Sequence, residues 1–532
     1  MTVTDSDARA GSARGSWDSY LEAVPDGTDR VVALLDELVR RPAEDSRGVR
    51  DLAIDLGSTK STVARLLQEM SNSNLTHRDA RGRYHVGARL RVLTSRVHLS
   101  CSIFRDGGDI AQELADAAGS TATINLVSAN KISGFVAVRR SSVGPIGYNL
   151  TPGTALPLHA GATGRALLSA MDGDIPDNLE LTRFTTDTIT GLASLREHIE
   201  RDRRNGYVLS IGQHFVQAAG LSAPFVFDGI PAAVTITRPR TDTTEHDLRE
   251  LVPLVLDAAR RLGRLSDSGD NANTDHPARI GPDASDGGTA VDRLERLIAA
   301  LARHPKGLPT GGRALGRVIR ANPSTATKLL GVALHSGLAT KSMDTLEIGP
   351  TLMRWSALLG VAETVAELVR PAVAELSRQT GETVGLIELD QPTRIARQTL
   401  VVQGSQQMHY WMATDTDIPL HAGASGKAIL AHLPPDVLPQ LPLVRYTANT
   451  DIDPASIARA LEDIKRRGWA VGDGERIPEA FGIAAPYFTD GQITGSITVT
   501  IPKLRVEYVD TSEIAAAVVR TAEQISQILS LG

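Results

Sequence analysis

The chain has 532 residues, of which 42% are hydrophobic and 22% charged, an ordinary composition for about three to five globular domains. A single cysteine, Cys101, excludes an internal disulfide and a four-cysteine zinc site, as expected in a reducing cytoplasm. We expect no membrane span and no signal peptide, because no apolar run reaches about 18 residues and the N-terminus is polar. The net charge of −6 argues against non-specific nucleic-acid binding by the whole chain, so DNA binding would need a local basic surface.

The first predicted elements have the pattern of a helix-turn-helix. Residues 1–27 are expected to be a disordered arm, and apolar residues at helical spacing predict a helix over 29–41. A second short helix is predicted over 49–56, after which a glycine turns the chain. Ser58 is the expected N-cap of a third helix that ends near Met70. A helix, a turn and a second helix are typical of DNA-binding domains.

A β-hairpin is predicted directly after the third helix. Two short strand-like runs, 75–79 and 83–86, enclose a turn that contains glycine. Such a hairpin is a wing, whose arginines reach the DNA backbone or the minor groove, while the start of the third helix offers side chains to base edges. The predicted DNA-binding residues of this winged helix-turn-helix domain, 28–87, are Thr59, Lys60, Ser61, Thr62, Arg65, Arg78, Arg81 and Arg83.

The next segment, 88–265, predicts a domain built on a central antiparallel sheet. Strands are expected over 121–127, 132–138 and 234–236, with helices over 110–118 and 245–265. A loop of glycine and alanine precedes a further helix, and its free backbone N–H groups and the helix dipole favour an anion. The candidate ligand-binding residues are His159, Gly161, Ala162 and Thr163, although a loop histidine is more often structural than a ligand.

The same organisation occurs twice along the chain. The twelve residues from Pro157 recur from Pro419 with nine identities at an offset of 262, and further matches keep this offset within one residue over about 200 positions. Because two unrelated domains would not keep register, we interpret the chain as an internal duplication. A polar segment, 266–289, is the predicted flexible linker between the copies. The second copy then comprises a DNA-binding domain, 290–350, and a sensing domain, 351–532.

The second DNA-binding domain differs from the first where DNA contact is expected. Pro323 replaces Lys60, and the second wing keeps Lys341 but lacks the arginines. Both domains are basic, with net charges of +4 over 28–104 and +6 over 290–356, so we expect two DNA-binding domains that read different bases. The candidate DNA-binding residues of the second domain are Asn322, Ser324, Thr325, Thr327 and Lys328.

The second sensing domain keeps the glycine loop but differs from the first at Asp473 and Glu475. Asp473 and Glu475 stand where the first copy has Ile211 and Gln213, so a catalytic or metal role for these acids would be lost in the first copy. P-loop spacing and a nucleophile elbow are both missing from the sequence, and we therefore predict no enzyme, no metal and no cofactor. The candidate loop residues of this copy are His421, Gly423, Ala424 and Ser425.

Several of these motifs resemble the IclR family of bacterial transcription regulators. The resemblance rests on 60–67, 82–84, the doubled loop, 468–475 and 484–486, and it covers about 90% of the chain. It implies a GAF-like domain that binds small, often aromatic or 2-oxo, carboxylates and thereby controls a catabolic operon. It also places the effector against the backbone amides of the loop, near Asp473 and near Gly482.

The tandem arrangement resembles that of actinobacterial regulators of para-hydroxybenzoate catabolism. This resemblance implies an aromatic carboxylate such as 4-hydroxybenzoate as the effector. Tyr410, Trp411 and His421 are side chains of the right kind to surround a phenolic ring. The departures at Ile211 and Gln213 imply a lost or altered ligand in the first copy.

The predicted fold class is therefore α+β, with two copies of a winged helix-turn-helix domain plus a GAF-like α/β effector-binding domain. We interpret the chain as a cytoplasmic repressor with two partners, double-stranded operator DNA and a small carboxylate effector. It would act as a monomeric pseudo-dimer or as a homodimer. The alternatives are a signalling or scaffold protein that no longer binds DNA and, less favoured because no nucleophile–base pair repeats, an enzyme.

Overall fold

A computed structural model describes residues 27–41, 47–79, 81–142, 150–265, 288–305, 307–360, 364–406 and 408–531. The expected arm, apart from residue 27, and the expected linker, apart from residues 288 and 289, lie outside these residues. The chain divides near residue 361 into two compact units. The first unit contains both segments predicted to bind DNA and the first sensing segment, and the second unit contains the second sensing segment.

The first helical segment has the predicted three helices followed by a hairpin. Its elements are α1 (Gly27–Arg40), α2 (Val49–Asp55), α3 (Lys60–Asn72), β1 (Thr76–Arg78) and β2 (Tyr84–Val86). The prediction that Ser58 caps α3 is wrong. The cap is Thr59, whose Oγ1 accepts a hydrogen bond from the backbone N–H of Thr62 at 3.3 Å. Ser58 instead donates its backbone N–H to Ala53 and closes the end of α2.

The first sensing segment forms a six-stranded, wholly antiparallel sheet in the order β5-β4-β3-β8-β7-β6, which confirms the predicted antiparallel arrangement. The strands are β3 (Thr121–Val127), β4 (Ser133–Ser141), β5 (Ala155–Pro157), β6 (Val208–Ile211), β7 (Ala218–Phe227) and β8 (Ile230–Pro239). The helices are α4 (Ala88–Ser100), α5 (Ser102–Ala118), α6 (Gly161–Ala170), α7 (Leu192–Asn205), α8 (Glu245–Glu250) and α9 (Val252–Leu265).

Two groups of helices cover this sheet. Helices α5 and α9 pack on each other and on the strands, and α6 packs on β7 and β8 with α7 behind it. A buried cluster that includes Leu158, Leu167 and Leu195 holds α6 and α7 together. The helix predicted over 245–265 is two helices, because Pro253 lacks the N–H that a continuous helix needs at this position.

The second helical segment repeats the first with one additional strand. Its elements are α10 (Ala290–Arg303), β9 (Leu308–Pro309), α11 (Gly312–Ile319), α12 (Pro323–His335), β10 (Ala339–Ser342), β11 (Thr345–Ile348) and α13 (Pro350–Leu359). Strand β9 pairs with β11, and the described residues of the first segment show an isolated bridge between Arg47 and Tyr84 at the matching place. Asn322 caps α12, because its side chain accepts from the N–H of Thr325 at 2.8 Å.

The two helical segments pack directly on each other within the first unit. Helix α1 of the first helical segment and the helix that follows its hairpin, α4, contact α10 and α13 of the second. At the centre of this interface, the buried carboxylate of Asp36 accepts hydrogen bonds from Arg354 at 2.6 Å and from the indole N–H of Trp355 at 2.8 Å. Burial alone would raise the pKa of Asp36, but Arg354, Arg40 and the indole together hold the pKa below its usual value.

The contacts of Asp36 are not repeated by the duplicate residues. The residue that corresponds to Asp36 is Ala299, and Val92 and Leu93 correspond to Arg354 and Trp355. A second ion pair across the interface, Arg89 with Glu295 at 2.6 Å, is likewise formed by residues without charged counterparts. The interface therefore joins two unlike surfaces, although both arose from one duplicated unit.

The second unit has the same strand order as the first sheet, β14-β13-β12-β17-β16-β15. Its strands are β12 (Thr383–Asp390), β13 (Ile395–Val402), β14 (Thr416–Ile418), β15 (Ala470–Asp473), β16 (Ala480–Thr489) and β17 (Gln492–Pro502). Its helices are α14 (Val365–Thr380), α15 (Ala424–Leu430), α16 (Pro454–Arg467) and α17 (Thr511–Leu529). Among the described residues of both units, no helix combines the length and apolarity that crossing a membrane requires.

Replacing Asp36 tests how strongly the two helical segments depend on each other. We expect Asp36→Ala to lower the free energy of unfolding of the first unit by about 3–5 kcal/mol, because Arg354 and the Trp355 indole lose their buried acceptor. Asp36→Asn should cost less, since its amide oxygen still accepts from the indole. Urea unfolding followed by tryptophan fluorescence measures both. Asp106→Ala, in an exposed pair with Arg105, is the matched control and should cost less than about 1 kcal/mol; an equal loss would contradict this role of Asp36.

Candidate DNA interface and ligand cavities

The N-terminal end of α3 presents the predicted polar and basic residues to solvent. The side chains of Thr59, Lys60, Ser61 and Arg65 are exposed, and Thr62 is partly exposed, while the apolar residues of α3 face inward. The Thr59 hydroxyl contacts the hydroxyl of Ser61 at 3.1 Å, in addition to capping the helix. Arg65 pairs with Glu69 one turn later on the same exposed face. In water such a pair is weak, so the guanidinium can exchange Glu69 for a phosphate at little cost.

The first hairpin holds its three arginines in the solvent beside α3. The Asp79 carboxylate shapes the turn by accepting from the backbone N–H groups of Arg81 and Arg83 at 2.9 and 2.8 Å. The Arg83 N–H is the largest cause of a lowered pKa for Asp79. Arg78 lies over the ring of Tyr84, 5.9 Å from its centroid, and all three arginines are exposed. The tip is therefore cationic and locally ordered.

The second segment presents a different surface at the matching positions. Ser324, Thr327 and Lys328 are exposed on α12, and Thr325 is partly exposed, but the Thr327 hydroxyl donates to the Pro323 carbonyl at 2.9 Å. The second hairpin turns at Met343, which has a positive φ of 47° and a 93% exposed side chain. A protruding methionine thus replaces the arginines at the tip, a difference that the sequence analysis did not consider.

The first sensing domain contains a cavity between α6 and the sheet. Of the predicted residues, Gly161, Ala162 and Thr163 line it. Gly161 adopts a positive φ of 78°, which a glycine tolerates, and this turns the loop into α6. The Thr163 hydroxyl contacts that of Thr235 at 3.0 Å. Gln213, at which the sequence analysis noted a departure from the second copy, also lines it, as do His214 and Phe215, which were not named.

A buried arginine lies behind this cavity but does not line it. Arg165 of α6 pairs with Asp202 of α7 at 2.9 Å and also donates to the side chain of Gln213 at 3.1 Å. Burial raises the pKa of Asp202 and lowers the pKa of Arg165, and in each case it outweighs the attraction between them. The positive charge of α6 is thus neutralised from the side of α7.

The second sensing domain contains a cavity at the matching place. Gly423, Ala424, Ser425, Glu475 and Gly482 line it, so five of the predicted residues meet in one place. Residues lining this cavity that the sequence analysis did not name as ligand-binding include Gln398, Met412, Arg476, Thr498 and Thr500.

Glu475 occupies part of the predicted anion site itself. Its Oε2 accepts from the backbone N–H of Gly423 at 2.9 Å, and its Oε1 is paired with Lys427 of α15. Lys427 corresponds to Arg165 of the first domain, where Gln213 stands in place of Glu475. In the second domain Glu475, which neutralises Lys427, lines the cavity. In the first domain Asp202, which neutralises Arg165, lies behind it.

Four predicted ligand-binding residues lie outside the cavity linings. His159 and His421 are buried, and their Nε2 atoms donate to the carbonyls of Thr182 and Val444 at 2.8 and 2.9 Å, which holds the loop in place. Trp411 is 71% exposed, and Asp473 forms a half-exposed ion pair with Lys503 at 2.7 Å. Tyr410 does line the second cavity.

Comparison with known families decides which proteins this chain resembles. The family described as "Bacterial transcriptional regulator IclR C-terminal" matches residues 99–264 and again residues 361–527. The chain belongs to the IclR family. The double match also confirms the tandem arrangement inferred from the repeat.

Individual relatives match about one copy of this IclR-family chain. The HTH-type transcriptional regulator BhcR of Paracoccus denitrificans is 28% identical over 46% of this chain and 89% of its own length. The HTH-type transcriptional repressor AllR of Salmonella typhi is 26% identical over 49% of this chain and 96% of its own length.

Solved structures of the family cover a similar share of the chain. An IclR regulator from Silicibacter sp. aligns with a TM-score of 0.42 and 21% identity over 45% of this chain and 96% of its own. An IclR homologue from Microbacterium hydrocarbonoxydans, complexed with 4-hydroxybenzoate, aligns with a TM-score of 0.38 and 20% identity. The alignment covers 46% of this chain and 99% of the homologue.

His214 gives the first sensing domain a predictable pH dependence. Burial, assisted by His159, lowers the pKa of His214 to about 4 from 6.5. Between these values the unfolded chain binds the proton and the folded chain does not, so stability present above about pH 6.5 is lost as the pH falls. We expect His214→Gln to reduce the slope of the free energy of unfolding against pH by up to about 1.4 kcal/mol per pH unit in this range. Denaturation at several pH values measures this slope. The matched control is the exposed His246→Gln; an unchanged slope in His214→Gln would contradict the assignment.

Proposed function

We propose that this chain is a DNA-binding repressor of a catabolic operon, with two winged helix-turn-helix domains and two GAF-like effector domains on one polypeptide. One observation carries the proposal. Helices α3 and α12 lie within one compact unit, each presents exposed polar and basic side chains, and each is followed by a hairpin. The buried contact of Asp36 with Trp355 supports a fixed arrangement of this pair.

The proposed operator has two unlike halves. The first domain offers Lys60, Arg65 and an arginine-rich wing, and arginine makes bidentate contacts with guanine or phosphate. The second offers Ser324 and Lys328 and a wing whose tip is methionine. Different side chains at matching positions favour different bases, so one chain would bind in a single orientation.

The proposed effector is a small carboxylate, with 4-hydroxybenzoate as the first molecule to test. Each cavity combines apolar walls with a few polar groups, which is the composition of a small-molecule site. Effector binding would shift the chain away from its DNA-binding conformation, in proportion to the difference in affinity between the two states.

A binding assay with the DNA upstream of its own gene tests the proposal as a whole. We expect specific binding that weakens steeply as salt rises, because lysine and arginine contacts to phosphate release counterions. Fluorescence anisotropy at low and high salt, with an unrelated duplex as control, measures this. A chain that binds neither duplex would favour a signalling or scaffold protein instead.

Helices α3 and α12 should contribute unequally to operator binding. We expect Arg65→Ala to weaken binding about 10- to 100-fold, because a bidentate contact is lost. Lys328→Ala should weaken it less than about fivefold, since lysine makes a single-point contact. Titration of both variants against the same operator measures the ratio. Equal losses would remove the proposed asymmetry.

One chain should suffice to occupy the operator. Each chain already carries two DNA-binding domains, and the interface around Asp36 joins unlike surfaces that two first copies could not reproduce. Sedimentation should therefore give the 56.6 kDa mass of one chain, free and per bound duplex. A mass of twice this value in both states would support a homodimer instead.

A further inference from the structure

We propose that the two effector cavities select ligands of different charge: Arg476 binds the carboxylate of an anionic effector in the second cavity, whereas the first cavity, with His214 at the matching position, takes an uncharged ligand. This inference rests on the proposed function, because it specifies the ligands of its two effector domains.

The second cavity has one positive charge that is not neutralised. Of the charged residues that line it, Glu475 is already paired with Lys427. Within the described residues, Arg476 forms no ion pair and no hydrogen bond through its guanidinium group, and its side chain is partly exposed to the cavity. A carboxylate entering the cavity would therefore meet an available arginine, while Glu475 would repel it from the amide of Gly423.

Arg476 is also close to an aromatic residue of the same cavity. Burial raises the pKa of the Tyr410 hydroxyl, Arg476 opposes the rise, and the exposed Glu479 adds to it. Met412 lies in the same wall. An arginine next to a tyrosine and a methionine suits a molecule with an acidic group and an apolar body. A guanidinium binds a carboxylate through two parallel hydrogen bonds, which also fix the orientation of the ligand.

The first cavity has no such charge. Its described lining contains no lysine, arginine, aspartate or glutamate. Arg165 lies outside the lining and is neutralised by Asp202. His214 has a pKa of about 4 and is therefore neutral at physiological pH, and its ring packs against Phe184 and Phe215 at 4.8 and 4.1 Å between centroids.

Burying an uncompensated carboxylate in this first cavity would be costly, because only neutral groups would replace its hydration. An aromatic ligand that ends in an amide, a hydroxyl or a similar neutral group would keep the ring contacts with His214 and Phe215. Such a group would also exchange hydrogen bonds with Gln213 and with the Thr163 and Thr235 hydroxyls. The two cavities thus occupy matching places in their domains but differ in charge.

Titration calorimetry on the full chain tests the proposal with matched probes. The anionic probes are 4-hydroxybenzoate, benzoate and pyruvate, and the neutral probe is 4-hydroxybenzamide, which has nearly the shape of 4-hydroxybenzoate. We expect Arg476→Gln to weaken binding of the anionic probe at least about 10-fold and to leave the neutral probe within about twofold. We expect His214→Arg to raise the number of 4-hydroxybenzoate molecules bound per chain from one to two, a gain that misfolding cannot produce.

Three results would overturn the proposal. In the first, the Arg476→Gln variant binds the anionic probe as tightly as the unaltered chain does. In the second, the unaltered chain has two equal sites for the anionic probe, and in the third it binds none of the anionic probes. Operator binding without effector, measured on the same preparation, separates the two ideas. A chain that binds its operator but fails these tests refutes only the charge selection, and a chain that passes them without binding DNA refutes only the proposed repressor.

Discussion

The buried carboxylate of Asp36 is the constraint on which the rest of the first unit depends. A charge removed from water is tolerated only when donors replace its hydration, and here Arg354 and Trp355 bind one carboxylate oxygen while Arg40 binds the other. Arg354 and Trp355 belong to the second copy of the repeat. The first copy is therefore incompletely satisfied without the second, which fixes the two helical segments as a pair and places α3 and α12 within one unit.

Much of the fold was predictable because the repeat doubled every signal. Periodicity predicted α1 and α3 and the strands β3, β4 and β8, but it missed α7, which has 14 residues, and β7, which has ten. Among the short strands, β1 and β2 were predicted because a glycine turn lies between them, whereas β5 and β14, which also have three residues each, are too short for a period to show. The N-cap of α3 was misplaced by one position because Ser58 and Thr59 are equally good caps by type. Two hydrogen bonds of the folded chain distinguish them: Ser58 donates its backbone N–H to Ala53, and the Thr59 hydroxyl accepts from the N–H of Thr62.

The ligand cavities were predictable in part. The glycine loop was found because it is the best-kept segment of the repeat, and the structure places its residues in the cavity walls. His159 and His421 attracted attention for the same reason, yet their rings bond to carbonyls elsewhere. Arg476 and His214 were missed because nothing in a linear sequence shows which member of a short segment points into a cavity.

The unlike surfaces that meet around Asp36 affect how the chain would associate with other chains in the cell. Each half already holds its partner at the high local concentration that a covalent connection provides, and two of the donors to Asp36, Arg354 and Trp355, lie only in the second half. A chain that carried only the first half would lack both donors and could not reproduce this interface. In the proposed one-chain repressor, a mutant allele would consequently be recessive at this interface, because a damaged chain would not enter a mixed assembly with an intact one.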